Sequence, residues 1–197
     1  MTRMRNYTLS RTTAETAIDL AFEIDGTGVT SIQTGVGFFD HMLTLMTKHG
    51  FFDLTVNCKG DLDVDQHHTV EDIGIVLGQA FNKSIGNKEG INRYATVTSP
   101  MDEALSTTSI DISGRPYLVY HAEGVKDKIG DFDTELVEEF FQGFVNHAQV
   151  TLHINLAYGK NSHHMIESIF KGFGRALDQA SQKNPRVQGV PSTKGSL

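Results

Sequence analysis

Hydrophobic and polar positions along the chain alternate in some segments, as in β-strands, and recur at helical spacing in others. The same order of strand-like and helix-like segments occurs twice. Residues 16–24 alternate between apolar and polar side chains, which is typical of a strand with one buried face. Apolar side chains at helical spacing predict a helix over residues 37–48, and residues 51–58 favour a second strand. A polar loop over 59–65 leads into an amphipathic helix predicted over 68–83.

The second half of the chain repeats this order of elements. The corresponding ranges are strands over 104–112 and 117–121, a polar loop over 123–131, a helix over 134–148, a strand over 150–156 and a helix over 163–182. A tandem duplication is the simplest explanation of such self-similarity. We therefore expect an α+β fold in which each half packs a β-sheet on helices and the helices of the two halves pack together.

The length of 197 residues fits a single domain. No linker or low-complexity stretch separates the halves, so we expect two repeats, of about 1–92 and 93–185, that share one core. The segment of about 186–197 is rich in Gly, Pro and basic residues and is expected to form an extended tail.

Charge and cysteine content narrow the class of protein. The net charge is −7 and the Lys and Arg residues are scattered, which argues against a nucleic-acid partner. No apolar run is long enough to cross a membrane, and residues 1–30 lack the regions of a signal peptide. The single cysteine, Cys58, excludes an intrachain disulfide and fits a reducing cytoplasm, and we expect it to be a buried strand thiol.

A motif of two adjacent histidines, followed by a glutamate three residues after the second, occurs twice at a separation of 96 residues. Its copies are His67, His68 and Glu71 in the first half, and His163, His164 and Glu167 in the second. On a helix, the first histidine and the glutamate lie on one face and can chelate one ion. The second histidine points about 100° away, toward a second ion. The duplication therefore predicts two metal sites.

The repeat also indicates further ligands on the preceding helix of each half. His41 lies 26 residues before His67, and Glu139 lies 24 residues before His163. The first predicted site comprises His41, His68, His163 and Glu167, and the second comprises His67, Glu71, Glu139 and His164. Imidazole and carboxylate donors without thiolate favour Mn²⁺, Fe²⁺, Co²⁺ or Zn²⁺. Four protein ligands on an octahedral ion leave room for substrate or water.

Other interpretations compete at individual residues. A single copy of the motif also fits surface histidines beside an acid that interacts with the helix dipole, and only two copies in register favour metal binding. Asp72, four residues after His68, either orients a ligand or is a solvated acid on the helix face. The four histidines without such a pattern are expected to be structural or exposed; they are His49, His121, His147 and His153.

Eight segments, in order from about Arg11 to Gly195, resemble the imidazoleglycerol-phosphate dehydratase family of histidine biosynthesis. They are RTTAET (11–16), TGVGFFDHML (34–43), DVDQHHTVEDIGIVLGQ (63–79), MDEAL (101–105), DISGRPYL (111–118), DTELVEEFF (133–141), GKNSHHMIESIFK (159–171) and PSTKG (191–195). The chain differs from many relatives at Glu139, where they carry His, and at Gln66, where they carry Asp.

The resemblance implies a hydro-lyase that converts D-erythro-imidazole glycerol phosphate to imidazole acetol phosphate. It implies a fold like that of ribosomal protein S5 domain 2, two Mn²⁺ ions per active site, and self-association into 24-subunit particles with metal sites between subunits. The two ions would stabilise an imidazolate on the way to a diazafulvene intermediate.

The resemblance also assigns roles to residues that the motif does not include. Glu15 is expected to be the base that removes the C–H proton. The catalytic set is completed by four residues of the motif itself, His67, Glu71, His163 and Glu167. The phosphate is expected to contact Arg93, Arg115, Lys171 and the tail. The full substrate-binding set is Glu15, His41, His49, Arg93, Arg115, Lys171, Ser192, Thr193 and Lys194.

Two other functions remain open on the residues alone. Two metals and carboxylates also suit a dinuclear hydrolase that cleaves phosphate esters, although such enzymes favour Asp-rich sites. A metal-storage or structural metal protein without catalysis is the alternative from a different class.

Overall fold

The structure is a computed structural model, and it describes residues 4–197. The first half contains β1 (Asn6–Thr12), β2 (Thr16–Glu23), β3 (Thr30–Gln33), α1 (Gly37–Gly50), β4 (Asp53–Gly60) and α2 (His67–Ile85). The second half contains β5 (Tyr94–Met101), β6 (Ala104–Asp111), β7 (Tyr117–His121), β8 (Lys128–Ile129), β9 (Phe132–Asp133), α3 (Leu136–Ala148), β10 (Thr151–Tyr158) and α4 (Ser162–Ser181).

The two four-stranded sheets have the same topology. Their strand orders are β1-β2-β4-β3 and β5-β6-β10-β7. In each sheet the first two pairings are antiparallel, and the last, β3 with β4 or β7 with β10, is parallel. The predicted α+β fold with two equivalent halves is confirmed.

Each sheet buries one face against the helices. Along β2, Ile18, Leu20 and Phe22 are buried and alternate with more exposed neighbours, as the period-2 pattern predicts. Cys58 on β4 is a buried free thiol, as expected. Phenylalanine rings also join the halves, because Phe39 of α1 packs on Phe140 of α3 at a centroid distance of 5.3 Å, and Phe81 of α2 packs on Phe144 of α3 at 5.9 Å.

The helices pair across the two halves, α1 with α4 and α2 with α3. Glycines allow a close approach, because a Cβ on Gly174 would lie 2.2 Å from the carbonyl oxygen of Met46, and one on Gly74 would lie 2.4 Å from that of Phe140. Gly78, one turn after Gly74, approaches Phe144, one turn after Phe140, in the same way. Because both contacts advance in the same sense, α2 and α3 run in the same direction. The helix pairing therefore brings helix N-terminal ends from different halves together.

Several short or exposed strands were absent from the sequence prediction. β1 and β5 lie at sheet edges and expose most of their side chains, so their hydrophobic period is weak. The predicted polar loop over 123–131 is wrong in part, because β8 pairs with β9 as a short hairpin there. Within residues 4–197, no helix is both long and apolar enough to cross a membrane.

Candidate active site

The N-terminal ends of α1 and α4 form a cluster of metal-ligand side chains. The Nε2 atom of His163 lies 3.3 Å from the Glu167 carboxylate, and that of His41 lies 3.8 Å from the same oxygen. One ligand atom from each residue fits within 4.8 Å of the other two. The cluster holds three of the four residues predicted for the first metal site.

The paired ends of α2 and α3 carry three of the four residues predicted for the second site, and the fourth, His164, lies on α4. His67 Nε2 lies 3.5 Å from Glu71, its partner one turn along the helix. Glu139 is in the first turn of α3, one turn before Gly143, whose Cα packs beside the backbone of Glu71. This pair of side chains is more open to solvent than the first cluster, because 41% of the Glu71 side chain is exposed against 9% for Glu167.

The second histidine of each motif is held by a carboxylate from a neighbouring loop. His68 Nδ1 lies 2.9 Å from Asp61, and its Nε2 lies 3.6 Å from Glu15. His164 Nδ1 lies 2.8 Å from Glu103. With Nδ1 engaged in this way, Nε2 is the ring nitrogen left to coordinate an ion. Among the described residues of one chain, neither histidine belongs to the three-residue cluster.

Charged neighbours shift the titration of several of these groups. The hydrogen bond to Asp61 raises the pKa of His68, and the one to Glu103 raises the pKa of His164. The pKa of Glu103 falls to about 2, first because of His164 and then because of backbone amides of the loop before α4. Burial opposes ionisation of Glu167, but Lys171 and the clustered histidines outweigh it and lower its pKa.

A buried acid fixes the turn that carries Glu15. Thr13 caps the β1–β2 turn by accepting from the backbone amide of Glu15. Asp72 on α2 accepts from the Thr16 hydroxyl at 2.5 Å and forms an ion pair with Arg11 at 2.7 Å. Only 7% of Asp72 is exposed, so its interpretation as a solvated acid is wrong.

The predicted phosphate donors fall into two groups at opposite ends of β5. Arg93, just before the strand, donates to Asp111 and to the Pro191 carbonyl oxygen of the tail. Lys171 lies at the other end, where its Nζ is 3.3 Å from the sulfur of Met101. Eight residues of strand separate the two groups by roughly 25 Å.

The remaining predicted residues have simple placements. Arg115 is in the turn after β6, where it donates to the Ser113 carbonyl oxygen, and Ser192, Thr193 and Lys194 form a turn in the tail. His49 is half-buried, and burial together with Lys171 and Arg175 lowers its pKa. His121 and His153 are exposed, and His147 bonds the Gly143 carbonyl oxygen.

The partner role of Asp61 was not predicted, and neither was a group of lysines beside the second motif. An open depression next to His163 and His164 is lined by three cations, Lys126, Lys128 and Lys160. The acidic run DLDVD before the first motif was a usable signal for Asp61. The sequence contains no such signal for the lysines, because only tertiary packing brings residues 126–128 to the start of α4.

The chain resembles known proteins over most of its length. A sequence profile of the imidazoleglycerol-phosphate dehydratase family matches residues 34–177. The chain belongs to this family. An imidazoleglycerol-phosphate dehydratase of Oceanobacillus iheyensis is 65% identical over 194 residues, covering 98% of this chain and 100% of that protein. An imidazoleglycerol-phosphate dehydratase of Methylobacillus flagellatus is 58% identical over 198 residues, and the match covers 100% of this chain and 100% of that protein.

Solved structures of the family share the fold. The imidazoleglycerol-phosphate dehydratase of Staphylococcus aureus superposes with a TM-score of 0.83 at 46% identity, covering 91% of this chain and 99% of that chain. The Pyrococcus furiosus enzyme, in complex with (S)-C348, superposes with a TM-score of 0.82 at 36% identity. The superposition covers 96% of this chain and 100% of that chain. The chain is therefore a lyase of histidine biosynthesis that dehydrates a small-molecule substrate.

Proposed function

We propose that the chain converts D-erythro-imidazole glycerol phosphate to imidazole acetol phosphate with two Mn²⁺ ions per active site. The observation that supports this best is the cluster of His41, His163 and Glu167, whose ligand atoms lie within 4.8 Å of one another. The donors suit such an ion, because they combine imidazole nitrogen and carboxylate oxygen without a thiolate. The free thiol of Cys58 is buried in the first sheet and offers no competing ligand there.

The two proposed sites keep the ligand sets predicted from the repeat. One site uses His41, His68, His163 and Glu167, and the other uses His67, Glu71, Glu139 and His164. Bound Mn²⁺ would act as a Lewis acid that stabilises negative charge on the imidazole ring of the substrate. The proposal takes Glu139 as a ligand although many relatives carry His there, because a carboxylate coordinates Mn²⁺ equally well.

We propose further that each metal site is shared between chains. Two features support this: the second histidine of each motif lies outside the three-residue cluster of its own chain, and the phosphate donors are separated by roughly 25 Å. A small substrate cannot bridge that distance within one chain. Self-association, which family resemblance suggests is a 24-mer, would bring the two groups together.

The remaining residues of the proposed site bind and position the substrate. Glu15 would take the C–H proton, and its carboxylate lies 3.6 Å from His68 Nε2, the ring nitrogen that would coordinate an ion. His67, Glu71, His163 and Glu167 act through the ions that they hold. The phosphate is bound by Arg93, Arg115, Lys171, Ser192, Thr193 and Lys194. His41 and His49 complete the substrate-binding set.

Mn²⁺ titration of metal-stripped protein, followed by the electron paramagnetic resonance signal of free Mn²⁺, tests the metal assignment. We expect two ions per chain in the wild type and one in His163→Ala. The exposed His153 supplies a matched control, and His153→Ala should still bind two. Full binding by His163→Ala would remove the basis of the proposal.

Mixing of inactive variants tests whether sites are shared. His163→Ala breaks the three-residue cluster but leaves His68 intact, and His68→Ala does the reverse. In mixed assemblies, the cluster of one chain meets the intact His68 of another, so part of the turnover should return. Mixtures that stay as inactive as either parent would show that each site lies within one chain.

Domain organisation and location complete the proposal. The chain forms one domain of two repeats, about 1–92 and 93–185, followed by a substrate-binding tail of about 186–197. The equivalent sheets support these boundaries. We place the enzyme in the cytoplasm, without nucleic-acid or membrane partners, in keeping with its net charge of −7 and single free cysteine. A dinuclear hydrolase and a storage protein are not favoured, because the relatives are named as dehydratases.

A further inference from the structure

The open depression beside the second motif combines positive charge with an apolar side chain. It is lined by three exposed lysines, Lys126, Lys128 and Lys160, and by the partly buried Ile129. Lys128 pairs with Asp133 at 2.9 Å. Within residues 4–197, Lys126 and Lys160 form no ion pair, so their charges are available to another molecule. We call this surface the lysine depression.

The backbone holds these lysines beside the start of α4. The amide of Lys126 donates to the Ser162 hydroxyl at 3.0 Å, and its carbonyl oxygen accepts from the Thr134 hydroxyl at 2.7 Å. The amide of Lys160 donates to the Glu103 carboxylate at 3.1 Å. Both side chains therefore extend from fixed points, and the lysine depression exists before any partner binds.

A turn beside the first motif has the opposite charge. It comprises Asp61, Leu62, Asp63, Val64 and Asp65, and the Val64 amide closes it by donating to the Asp61 carbonyl oxygen at 2.8 Å. Leu62 and Val64 are 40% and 65% exposed, and Asp63 and Asp65 are also exposed. This acidic turn therefore presents two carboxylates and two apolar side chains to solvent.

The acidic turn is fixed relative to His68. The Asp61 carboxylate contacts His68 Nδ1 at 2.9 Å, and the Asp61 amide donates to the Glu15 carbonyl oxygen at 3.1 Å. Asp65 accepts from the backbone amide of His67 at 2.7 Å, at the start of α2. The proposed shared metal site takes His68 from a second chain, so the acidic turn arrives with it.

We propose that the acidic turn of one chain docks in the lysine depression of another chain. This proposal rests on the proposed shared site, where His68 of one chain and His163 of another bind the same ion. His163 itself lines the lysine depression. Asp65 lies three residues before His68 and Asp63 five, so a fully extended chain places them at most about 11 and 18 Å from it. Docking of His68 thus brings both acids within reach of the lysines beside His163.

Charge and hydropathy match between the two surfaces. The carboxylates of Asp63 and Asp65 meet the ammonium groups of Lys126 and Lys160, while the apolar side chains of the turn cover Ile129. Each chain has a net charge of −7, so two copies repel one another at long range. A local contact of opposite sign then determines which surfaces meet. The β8–β9 hairpin also contains acids, but none of them lines the lysine depression.

Sedimentation velocity of the Mn²⁺-loaded protein tests the contact, because it measures assembly without reference to turnover. The test variant is Lys126→Glu/Lys160→Glu, which places acids opposite acids. We expect the protein concentration at which half of the chains are assembled to rise at least about tenfold at low salt. The rise should shrink in about 0.5 M salt, because salt screens exposed charges.

Exchange of the charges gives the sharpest result. Asp63→Lys alone should weaken assembly, because it places a cation opposite the lysines. Added to Lys126→Glu/Lys160→Glu, the same change should strengthen assembly, because opposite charges face each other again. Lys48→Glu is the matched control: it reverses an exposed lysine in the last turn of α1 and should shift assembly by less than about twofold.

The contact is refuted if Lys126→Glu/Lys160→Glu assembles as the wild type does, or if adding Asp63→Lys brings no recovery. A KM raised about tenfold with wild-type assembly would also refute it, since the lysines would then bind the substrate phosphate instead. If the double variant does not fold, Lys126→Gln/Lys160→Gln removes the same charges. It should give a smaller shift in the same direction, and no shift would count against the contact.

Failure of the proposed function gives a different result. A wild type that sediments as a single chain would refute the shared site, and the docking with it. In a wild type that assembles but shows no turnover with Mn²⁺, the exchange of charges still decides the docking. Recovery of assembly in the exchanged variant would support it, and lack of recovery would overturn it.

Discussion

Glu103 shows how a single carboxylate can orient a proposed metal ligand. It accepts from His164 Nδ1 at 2.8 Å and from the backbone amide of Asn161 at 2.7 Å. The same side chain thus fixes the ring of His164 and the loop that starts α4. Asp61 holds His68 in the first half at 2.9 Å, so both motifs have this kind of support.

Glu103→Gln should weaken Mn²⁺ binding by about 10- to 100-fold, because the ring loses the carboxylate that orients it and increases its basicity. Isothermal titration of the stripped protein with Mn²⁺ measures this. Glu123→Gln is a suitable control, since the Glu123 side chain is 84% exposed and its nearest charged partner is His121, at 3.8 Å. Equal affinity in the two variants would show that Glu103 does not support the site.

Asp72→Asn should lower the free energy of unfolding by about 2 kcal/mol, because Arg11 and Thr16 lose a buried charged partner. Urea denaturation at neutral pH measures the change. Asp19→Asn on the exposed face of β2 should change stability by no more than about 0.5 kcal/mol. If both variants are equally stable, the Asp72 network contributes nothing to the fold.

At the scale of residues, the sequence predicted side-chain contacts correctly where the two residues have a fixed spacing on one helix. The (i, i+4) pairs His67 with Glu71 and His163 with Glu167 follow directly from helix geometry. The alignment of the repeats predicted His41 as a ligand, and the structure places it beside His163 and Glu167. Asp61 was missed although it lies in the acidic run before the first motif, because no local period identifies which acid of that run contacts a histidine seven residues later.

At the scale of elements, close helix pairing positions the motifs. α1 and α4 approach so closely at Gly174 that no side chain fits against the backbone of Met46. This contact lies about two turns along the helices from the His41, His163 and Glu167 cluster. The separation of the two helix axes therefore controls the distances within the cluster.

Gly174→Ala should lower the free energy of unfolding by about 3 kcal/mol, because the added methyl group forces α1 and α4 apart. Mn²⁺ affinity should fall in the same variant. Gly37→Ala is the control: it adds a methyl group to an open position at the start of α1 and should be neutral or stabilising by up to about 1 kcal/mol. A stable Gly174→Ala protein with wild-type metal affinity would contradict this role.

Element prediction succeeded for the helices, the central strands and the edge strand β7, and it missed the edge strands β1, β3 and β5. The helix predicted over 68–83 spans His67–Ile85, and the strand predicted over 104–112 spans Ala104–Asp111. β3, β8 and β9 have two to four residues each, too few for a period to show. Their existence depends on pairing with distant partners, which local pattern does not report.

At the scale of the whole molecule, Arg5 links the two halves. Its guanidinium pairs with Asp25 after β2 and donates to the Ser181 carbonyl oxygen at the end of α4, at 2.6 Å. Only 9% of Arg5 is exposed. The hydrogen bond to Arg5 is the main cause that lowers the pKa of Asp25, and burial opposes it.

This ion pair predicts a pH-dependent contribution to stability. Because the folded pKa of Asp25 is below its ordinary value of 3.8, the contribution is fully present above that pH and is lost as pH falls through the lower folded value. Asp25→Asn should therefore reduce stability at pH 7 but lose less on acidification than the wild type. Urea unfolding at pH 7 and pH 3 measures both, and parallel losses would contradict the assignment.

The central claim is that clustered His and Glu side chains hold the metal ions that this dehydratase needs. The most direct measurement is turnover of imidazole glycerol phosphate by metal-stripped protein, before and after addition of Mn²⁺, in the wild type, His163→Ala and His153→Ala. We predict that product forms only with Mn²⁺, that His153→Ala behaves as the wild type, and that His163→Ala forms none. Full turnover by the stripped wild type, or by His163→Ala, would contradict the claim.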